Sequence, residues 1–438
     1  MRVLVVDTDV GLDLLRQLAR SGGGNHIYYF NNWMKSEPHI SDACFGEGFL
    51  EEWGVEKVDN YWHLVEDVDL IIFPFTGWGD DIDFLAERGY KVFGACKAGE
   101  ELESDRMAAK KICTEYELDV PETIELNVVK AIEHIKDQGD NFVIKFSEVR
   151  DGKFSTYVPV NREDCLSYLD SVVTSDRNVN VTLEKVVDGV ECGISGFFNG
   201  KDFVEPFCVN FEHKHLMDGE LGPSTGEMGT LLFYTSQDLP FIRYFKKIAP
   251  YLQKIGYHGI IDMNCIANEE GYWVTEFTSR LGFPLSLIQP VLHEDSMLSI
   301  LNGVANGTLK AFNAKEDVWA LGLYLVLPGY PYKEHVERLD PLQIFGVEDA
   351  INEGCHLGYS ELVKREGKYF TLPRGSGEVL VINGVGNTID EARDDAYRAM
   401  DYISFRDVGY RLDIGLKIKR RLQELYNYGV IPRDLLRG

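Results

Sequence analysis

A chain of 438 residues exceeds what one hydrophobic core normally organises, so about two to four domains are expected. Its 45% hydrophobic and 12% aromatic content suits packed domains and excludes a disordered or low-complexity protein. The formal charge of −27 argues against free nucleic acid or an anionic membrane surface as a partner and points to small-molecule substrates.

The eight cysteines are scattered, without a CxxC pair or a Cys/His cluster, which predicts reduced thiols rather than a zinc site or a disulfide framework. The opening MRVLVVD reads as a strand, not a signal peptide, because its apolar run is short and meets Asp7 at once. No window approaches the roughly 20 apolar residues of a membrane span. A soluble, cytoplasmic protein is expected, as a monomer or small homo-oligomer.

Residues 1–100 alternate short apolar strands (Val3 to Val6, Ile27 to Phe30, Leu70 to Phe75, Tyr90 to Phe93) with helices at Leu12 to Ala19 and Phe84 to Arg88, with a polar turn over Thr76 to Asp83. That pattern predicts a parallel sheet with ligands at the carboxyl ends of its strands. The turn after the first strand, Asp7-Thr8-Asp9-Val10-Gly11, is acidic and a poor anion cradle. A helix follows, with Ser104 as its expected N-cap and Pro121 as its stop. From 121 to 190 the pattern becomes a small α+β unit: strands at Phe142 to Phe146 and Val181 to Val187, a polar turn at 150–156, and a helix near Glu163 to Val172.

The stretch Glu212 to Gly229 shows no hydrophobic period and is punctuated by glycines, so it reads as a functional loop with a turn fixed at Gly222-Pro223. A helix over Leu239 to Ile255 and a hairpin pairing Gly259 to Ala267 with Tyr272 to Phe277 follow. A last α+β unit carries strands at Trp319 to Leu327 and Val379 to Val385, a helix from Ile389 to Tyr402, and a basic amphipathic helix from Leu416 to Tyr428. The expected division is 1–100, 101–315 with a small lobe at about 121–187, and 316–438, in an α/β and α+β multidomain class.

Four pieces fit one nucleotide site. Lys110 lies late in a helix. Lys145 sits inside the apolar run NFVIKF, where its charge needs an anion. Glu184 to Glu191 offers a strand edge for adenine and a carboxylate for ribose hydroxyls. Asp262 and Glu276, one on each hairpin strand, supply hard oxygen ligands for magnesium.

These pieces resemble an ATP-grasp fold, and nearly the whole chain resembles the phosphoribosylamine–glycine ligase (glycinamide ribonucleotide synthetase) family. The marker is Glu212-His213-Lys214-His215, then Asp218-Gly219-Glu220, then Gly222-Pro223-Ser224-Thr225-Gly226-Glu227-Met228-Gly229. The family shows Asp-His-Lys-Arg, Asp-Gly-Asp and Gly-Pro-Asn-Thr-Gly-Gly-Met-Gly there. The stretch VFGACKAGEELESDRMAAK, GYPY at 329–332, residues 374–405 and YRLDIG at 410–415 are similar as well. The resemblance implies ATP and Mg2+ (or Mn2+) as cofactors. Lys110 and Lys145 would touch phosphates, Glu184, Lys185 and Val187 would form the adenine hinge, and Glu191 would hold the ribose. Magnesium would lie on Asp262, Glu276 and Thr278. Catalytic roles would fall to Arg280, Lys214 and Lys153. Substrate contacts would fall to His213, Lys214, Gly222 to Glu227, and Asp7 and Asp9.

The sequence also departs from that family. The family's Gly-x-Gly-Gly-Arg-Glu-His after the first strand is replaced by the acidic turn at 7–11, and its lid by Ser147 to Lys153 with fewer glycines. Its magnesium-binding asparagine becomes Thr278, and two of its acids become Phe283 and Leu285. The resulting expectation is an ATP-dependent carboxylate–amine ligase whose amine is not phosphoribosylamine. The alternatives are a true phosphoribosylamine–glycine ligase, a weakened ATP-binding pseudoenzyme, and an enzyme tailoring nucleotides or bases with amino acids.

Overall fold

A computed structural model describes residues 1–8, 11–32, 46–139, 141–146, 156–332, 341–372 and 375–437. Asp9 and the Ser147 to Lys153 stretch expected as a lid lie outside the described residues.

The N-terminal strands pair in parallel, as their uninterrupted apolar runs require. Arg2–Asp7 is central, flanked by His26–Asn31 and Leu70–Ile72, with Val55–Lys57 and Val92–Phe93 at the edges. Burial on both faces removes the alternation of polar and apolar residues: Val3, Leu4, Val5 and Val6 are all fully buried. The expected polar turn at 76–83 is instead largely helix, Gly79–Glu87, whose first turn carries Asp80 and Asp81. Acids at that end favour the helix dipole, which the polarity of the stretch concealed.

Two helices, Lys97–Ser104 and Arg106–Glu115, lead into the next unit. Ser104 closes the first of them. The N-cap of the second is Asp105, whose carboxylate accepts from the backbone N–H groups of Met107 and Ala108 at 3.1 and 2.9 Å. The small α+β unit is a four-stranded antiparallel sheet ordered Thr123–Asn127, Asn180–Lys185, Phe142–Phe146, Thr156–Tyr157. Helices Val128–Gln138 and Arg162–Ser175 cover it and close a core of its own around Ile135, Ile144, Leu169 and Leu183.

The rest is built on an eight-stranded antiparallel sheet. Its spatial order is Tyr272–Thr278, His258–Ala267, Val190–Asn199, Phe203–Glu212, Gly229–Thr235, Trp319–Val326, Glu378–Gly386, His356–Tyr359. Four of these strands (190–199, 203–212, 229–235 and 356–359) are absent from the sequence reading. They are almost continuously buried, so no alternation marks them. The sheet runs unbroken across residue 316, joining the hairpin side to the C-terminal strands. The expected helix at 239–255 is split into Pro240–Phe245, a 3₁₀ turn at Lys246–Ile248, and Ala249–Lys254, the last carrying Pro250 in its first turn. The basic tail forms two short helices, Leu416–Lys419 and Leu422–Asn427. Among the described residues no helix is long and apolar enough to cross a membrane.

The Glu212 to Gly229 stretch is more ordered than its composition suggests. It folds as a ribbon, His215–Met217 against Leu221–Ser224. The reversal is at Asp218–Glu220, where Gly219 and Glu220 take φ of 71° and 59°, and not at Gly222-Pro223. Arg411 holds the ribbon down. Its guanidinium is 1% exposed and donates to Glu220 at 2.6 Å, Asp413 at 2.7 and 2.9 Å, and the His215 carbonyl at 2.8 Å.

Candidate active site

Lys110 from the helix and Lys145 from the small sheet converge on one acid. Glu184 receives Lys110 at 3.1 Å and Lys145 at 2.8 Å, and all three side chains are buried. Lys145 also donates to the Thr275 carbonyl at 3.3 Å, linking the small sheet to the large one. The anion that the NFVIKF run demands is therefore Glu184. Its carboxylate braces the two lysines. Burial pulls the pKa of Lys110 down despite that partner.

A cleft opens over the large sheet, lined by Glu103, Arg106, Glu212, Lys214, Gly226, Glu227, Asp262, Asn264, Glu276, Thr278, Arg280 and Phe283 among others. The hairpin register explains the oxygens on its floor. Asp262 stands opposite Thr278, and Asn264 opposite Glu276. Residues two apart on a strand share a face, so Asp262, Asn264, Glu276 and Thr278 point the same way. The strand Val190–Asn199 adds Glu191, and Phe203–Glu212 adds Asn210 and Glu212.

Lys214 sits in the middle of the acids. Its ammonium is 2.9 Å from Glu191, 3.1 Å from Glu212 and 3.1 Å from Glu276. Burial alone would lower its pKa, but the three carboxylates overcome that and hold it well above the usual lysine value. In return Lys214 pulls the Glu276 carboxyl down to about 2 against its burial. Glu227 and Asp262 go the other way. Burial, with Glu212 nearby, raises Glu227 well above its ordinary range and Asp262 to about 8. Arg280 is braced by Glu103 at 3.1 Å, which also accepts from the Ser279 backbone at 2.8 Å.

Other expected residues lie elsewhere. His213 does not line the cleft. It is fully buried, and its Nε2 accepts from the Gly415 backbone N–H at 3.0 Å, fastening the C-terminal segment. Burial keeps it neutral, with a pKa well below 6.5. Its folded pKa is depressed, so the stability it contributes is lost as pH falls below its unfolded value. Thermal melts should show a shallower loss from about pH 7 to 5 in His213→Gln than in the wild type. Asp7 is buried too, and its Oδ2 accepts from the Gly11 N–H and the Tyr29 hydroxyl, both at 3.0 Å. Gly222, Pro223 and Ser224 belong to the ribbon, and Thr225 is tied to the Lys214 carbonyl at 2.7 Å, so of that run only Gly226 and Glu227 reach the cleft. Lys185 ends its strand and Val187 follows it towards the strand that carries Glu191. Sequence reasoning missed Asn264, Glu212, Glu103 and Arg106. The period of two starting from Asp262 would have found Asn264. The others depend on packing between elements far apart in the chain.

Two sequence profiles match: phosphoribosylglycinamide synthetase ATP-grasp (A) domain over residues 104–285, and phosphoribosylglycinamide synthetase C domain over residues 320–417. Together they span well over half of the chain. The chain belongs to the phosphoribosylglycinamide synthetase family. The phosphoribosylamine–glycine ligase of Clostridium acetobutylicum is 27% identical over 349 residues, covering 76% of this chain and 80% of that one. The crystal structure of the Thermotoga maritima phosphoribosylamine–glycine ligase superposes with a TM-score of 0.71 at 20% identity, covering 95% of this chain and all of the other. The biotin carboxylase domain of the Hydrogenobacter thermophilus 2-oxoglutarate carboxylase, solved with MgADP and bicarbonate, gives 0.62 at 12% identity, covering 100% and 97%. Both superpositions carry the ATP-grasp fold.

As a member of the phosphoribosylglycinamide synthetase family the protein is an ADP-forming carboxylate–amine ligase that uses ATP with Mg2+ or Mn2+. The donors facing the cleft suit such a cation, because every candidate is a hard oxygen: Glu276, Asp262, the Asn264 amide and the Thr278 hydroxyl. Among the described residues no three acidic, His or Cys side chains are preformed around a metal position. The Lys214 ammonium stands among the acids instead.

Proposed function

We propose that this ligase activates a carboxylate with ATP and joins it to an amine that carries no phosphate. The observation that supports this is the seat of Asp7. A phosphate-bearing amine would use the strand-to-helix turn at 7–11 and the N-terminus of helix Leu12–Arg20 as its anion cradle. The Asp7 carboxylate already holds the Gly11 N–H there, and a Cβ at Gly11 would come within 2.5 Å of its oxygen. A buried internal anion at this helix end repels a second one.

In this reading Lys110 and Lys145 exchange Glu184 for ATP phosphates, the backbone of Lys185 to Val187 faces adenine, and Glu191 takes the ribose. Glu276, Asn264 and Thr278 hold magnesium, which when bound neutralises phosphate charge. A carboxylate oxygen attacks the γ-phosphorus and ADP departs. The amine nitrogen then attacks the acyl carbon and phosphate departs with the C–O bond electrons. Arg280 and Lys214 stabilise the anionic oxygens, and the protein acts mainly by positioning and charge. The reaction belongs in the cytoplasm, where ATP is plentiful.

The test is phosphate release from ATP with glycine plus phosphoribosylamine, run beside a panel of amino acids and unphosphorylated amines. Turnover should appear with an unphosphorylated amine. Turnover confined to phosphoribosylamine would sink the proposal and restore the activity named for the relatives.

A further inference from the structure

Glu227 and Asp262 in the cleft wall, and Asn210 bonded to Asp262, each bury an oxygen that no donor among the described residues satisfies. Glu227 is 5% exposed, and its Oε1 is buried without a hydrogen-bond partner. Asp262 is 4% exposed; its Oδ2 accepts from Asn210 Nδ2 at 2.7 Å, while its Oδ1 is unmet. Asn210 is fully buried, and its own Oδ1 is also unmet. With Nδ2 donating to Asp262, Oδ1 is the unmet atom. Across the sheet from Asn210 lies Gly193, where a Cβ would sit 2.4 Å from that Oδ1, so the backbone there leaves the oxygen its room.

With Glu227 and Asp262 ionised, as a bound cation would hold them, all three unmet atoms are acceptors and a donor satisfies them. Each unmet buried acceptor costs roughly 1–3 kcal/mol, so a ligand that donates to all three recovers that cost on binding. Lys214, a cation lining the same cleft, is already shared among Glu191, Glu212 and Glu276. Where the family resemblance puts glycine at position 227, this chain buries a carboxylate.

We infer that Glu227, Asp262 and Asn210 form a binding site for a primary ammonium group of a substrate. An ammonium has three N–H donors and one positive charge, matching three acceptors of which two are carboxylates. This differs from the sequence expectation of Asp262 as a metal ligand: its one available oxygen goes to the ammonium, and the divalent cation is left to Glu276, Asn264 and Thr278. The inference rests on the ligase reading and deepens it by assigning the charge of the group selected. That group is either the α-ammonium of an amino-acid donor or the ammonium of the acceptor, which must pass one proton to a carboxylate of the site to free its lone pair before it attacks; both present the same chemistry at binding.

Two assays separate the sources. In the first, hydroxylamine traps the acyl-phosphate as a hydroxamate, with the α-amino acids and their des-amino carboxylates as donors, ATP and Mg2+ present, and no acceptor needed. In the second, phosphate release is followed with the best donor and methylamine, ethanolamine or putrescine as acceptor. Glu227→Gln should raise KM for the ammonium-bearing substrate at least about tenfold in one assay, with KM for ATP unchanged within about twofold. A shift in the first assay places the amino-acid donor at the site, and a shift in the second places the acceptor there. Unchanged KM in both assays, or des-amino donors used as well as amino acids together with an unchanged acceptor KM, overturns the inference. Hydroxamate from no carboxylate at all removes the ligase reading, and this inference with it. Asp262→Asn reads the same quantities should Glu227→Gln prove insoluble, and Mg2+ titration of that variant should match the wild type.

Discussion

Glu276→Gln should lower kcat/KM for ADP formation by about 10²- to 10³-fold, the usual loss for one preorganised charge at a transferring phosphoryl group. The size follows from its two duties. Its carboxylate faces the cleft opposite Asn264, as the strongest oxygen donor of the hairpin, and it holds the Lys214 ammonium at 3.1 Å. Lys214 keeps it ionised, with a pKa of about 2, so the wild-type carboxylate stays charged throughout the working range. Glutamine preserves the shape and removes the charge. The loss should fall mainly on kcat, and titration of the variant should show weaker binding of Mn2+ in the presence of ADP. A kcat/KM within about tenfold of the wild type would remove Glu276 from the chemistry.

Arg411→Leu should cost about 1.5–3 kcal/mol in urea unfolding, the range for hydrogen bonds to charged groups, because Glu220 and Asp413 are 37% and 25% exposed and water can reach them once the guanidinium is gone. The guanidinium is almost wholly buried, and it meets two carboxylates and a carbonyl. Leucine leaves Glu220, Asp413 and the His215 carbonyl without their donor. Neighbouring links cannot compensate fully, although Lys417 still reaches Glu220 at 3.1 Å and the Asp413 carboxylate still accepts from the Gly219 N–H at 2.8 Å. The ribbon at 215–224 continues into Thr225, Gly226 and Glu227, so the same variant should also raise KM for the substrates beyond what lost stability explains. An urea midpoint within about 0.5 kcal/mol of the wild type would show that the C-terminal segment does not hold the ribbon.

Legibility followed a physical divide. The parallel N-terminal sheet was readable because strands buried on both faces are short, wholly apolar runs set between helices. The hairpin was readable from its two strand runs and the Asn268 to Gly271 turn between them. Lys145 announced a buried anion partner because a charge inside NFVIKF cannot be left bare. The long strands at 190–199 and 203–212 were not readable, because their burial carries no periodicity and cysteines, glycines and a proline interrupt them. The 212–229 stretch misled in the opposite direction. Its polarity comes in part from what it binds, Arg411, Lys417 and the cleft, while the reversal around 217–222 is exposed to water.

The sequence by itself determined the family, the ATP-grasp fold, the two lysines and the hairpin acids, because these depend on residue type at fixed spacing along one or two elements. Only the tertiary structure decided what each charge does. It gave Glu184 to the two lysines, Lys214 to three carboxylates, His213 to the Gly415 backbone and Asp7 to its own turn, and it left Glu227 and Asp262 each with an unmet oxygen. A buried charge is set by the groups packed within a few ångströms of it, and in this fold those groups come from strands and helices up to some two hundred residues away.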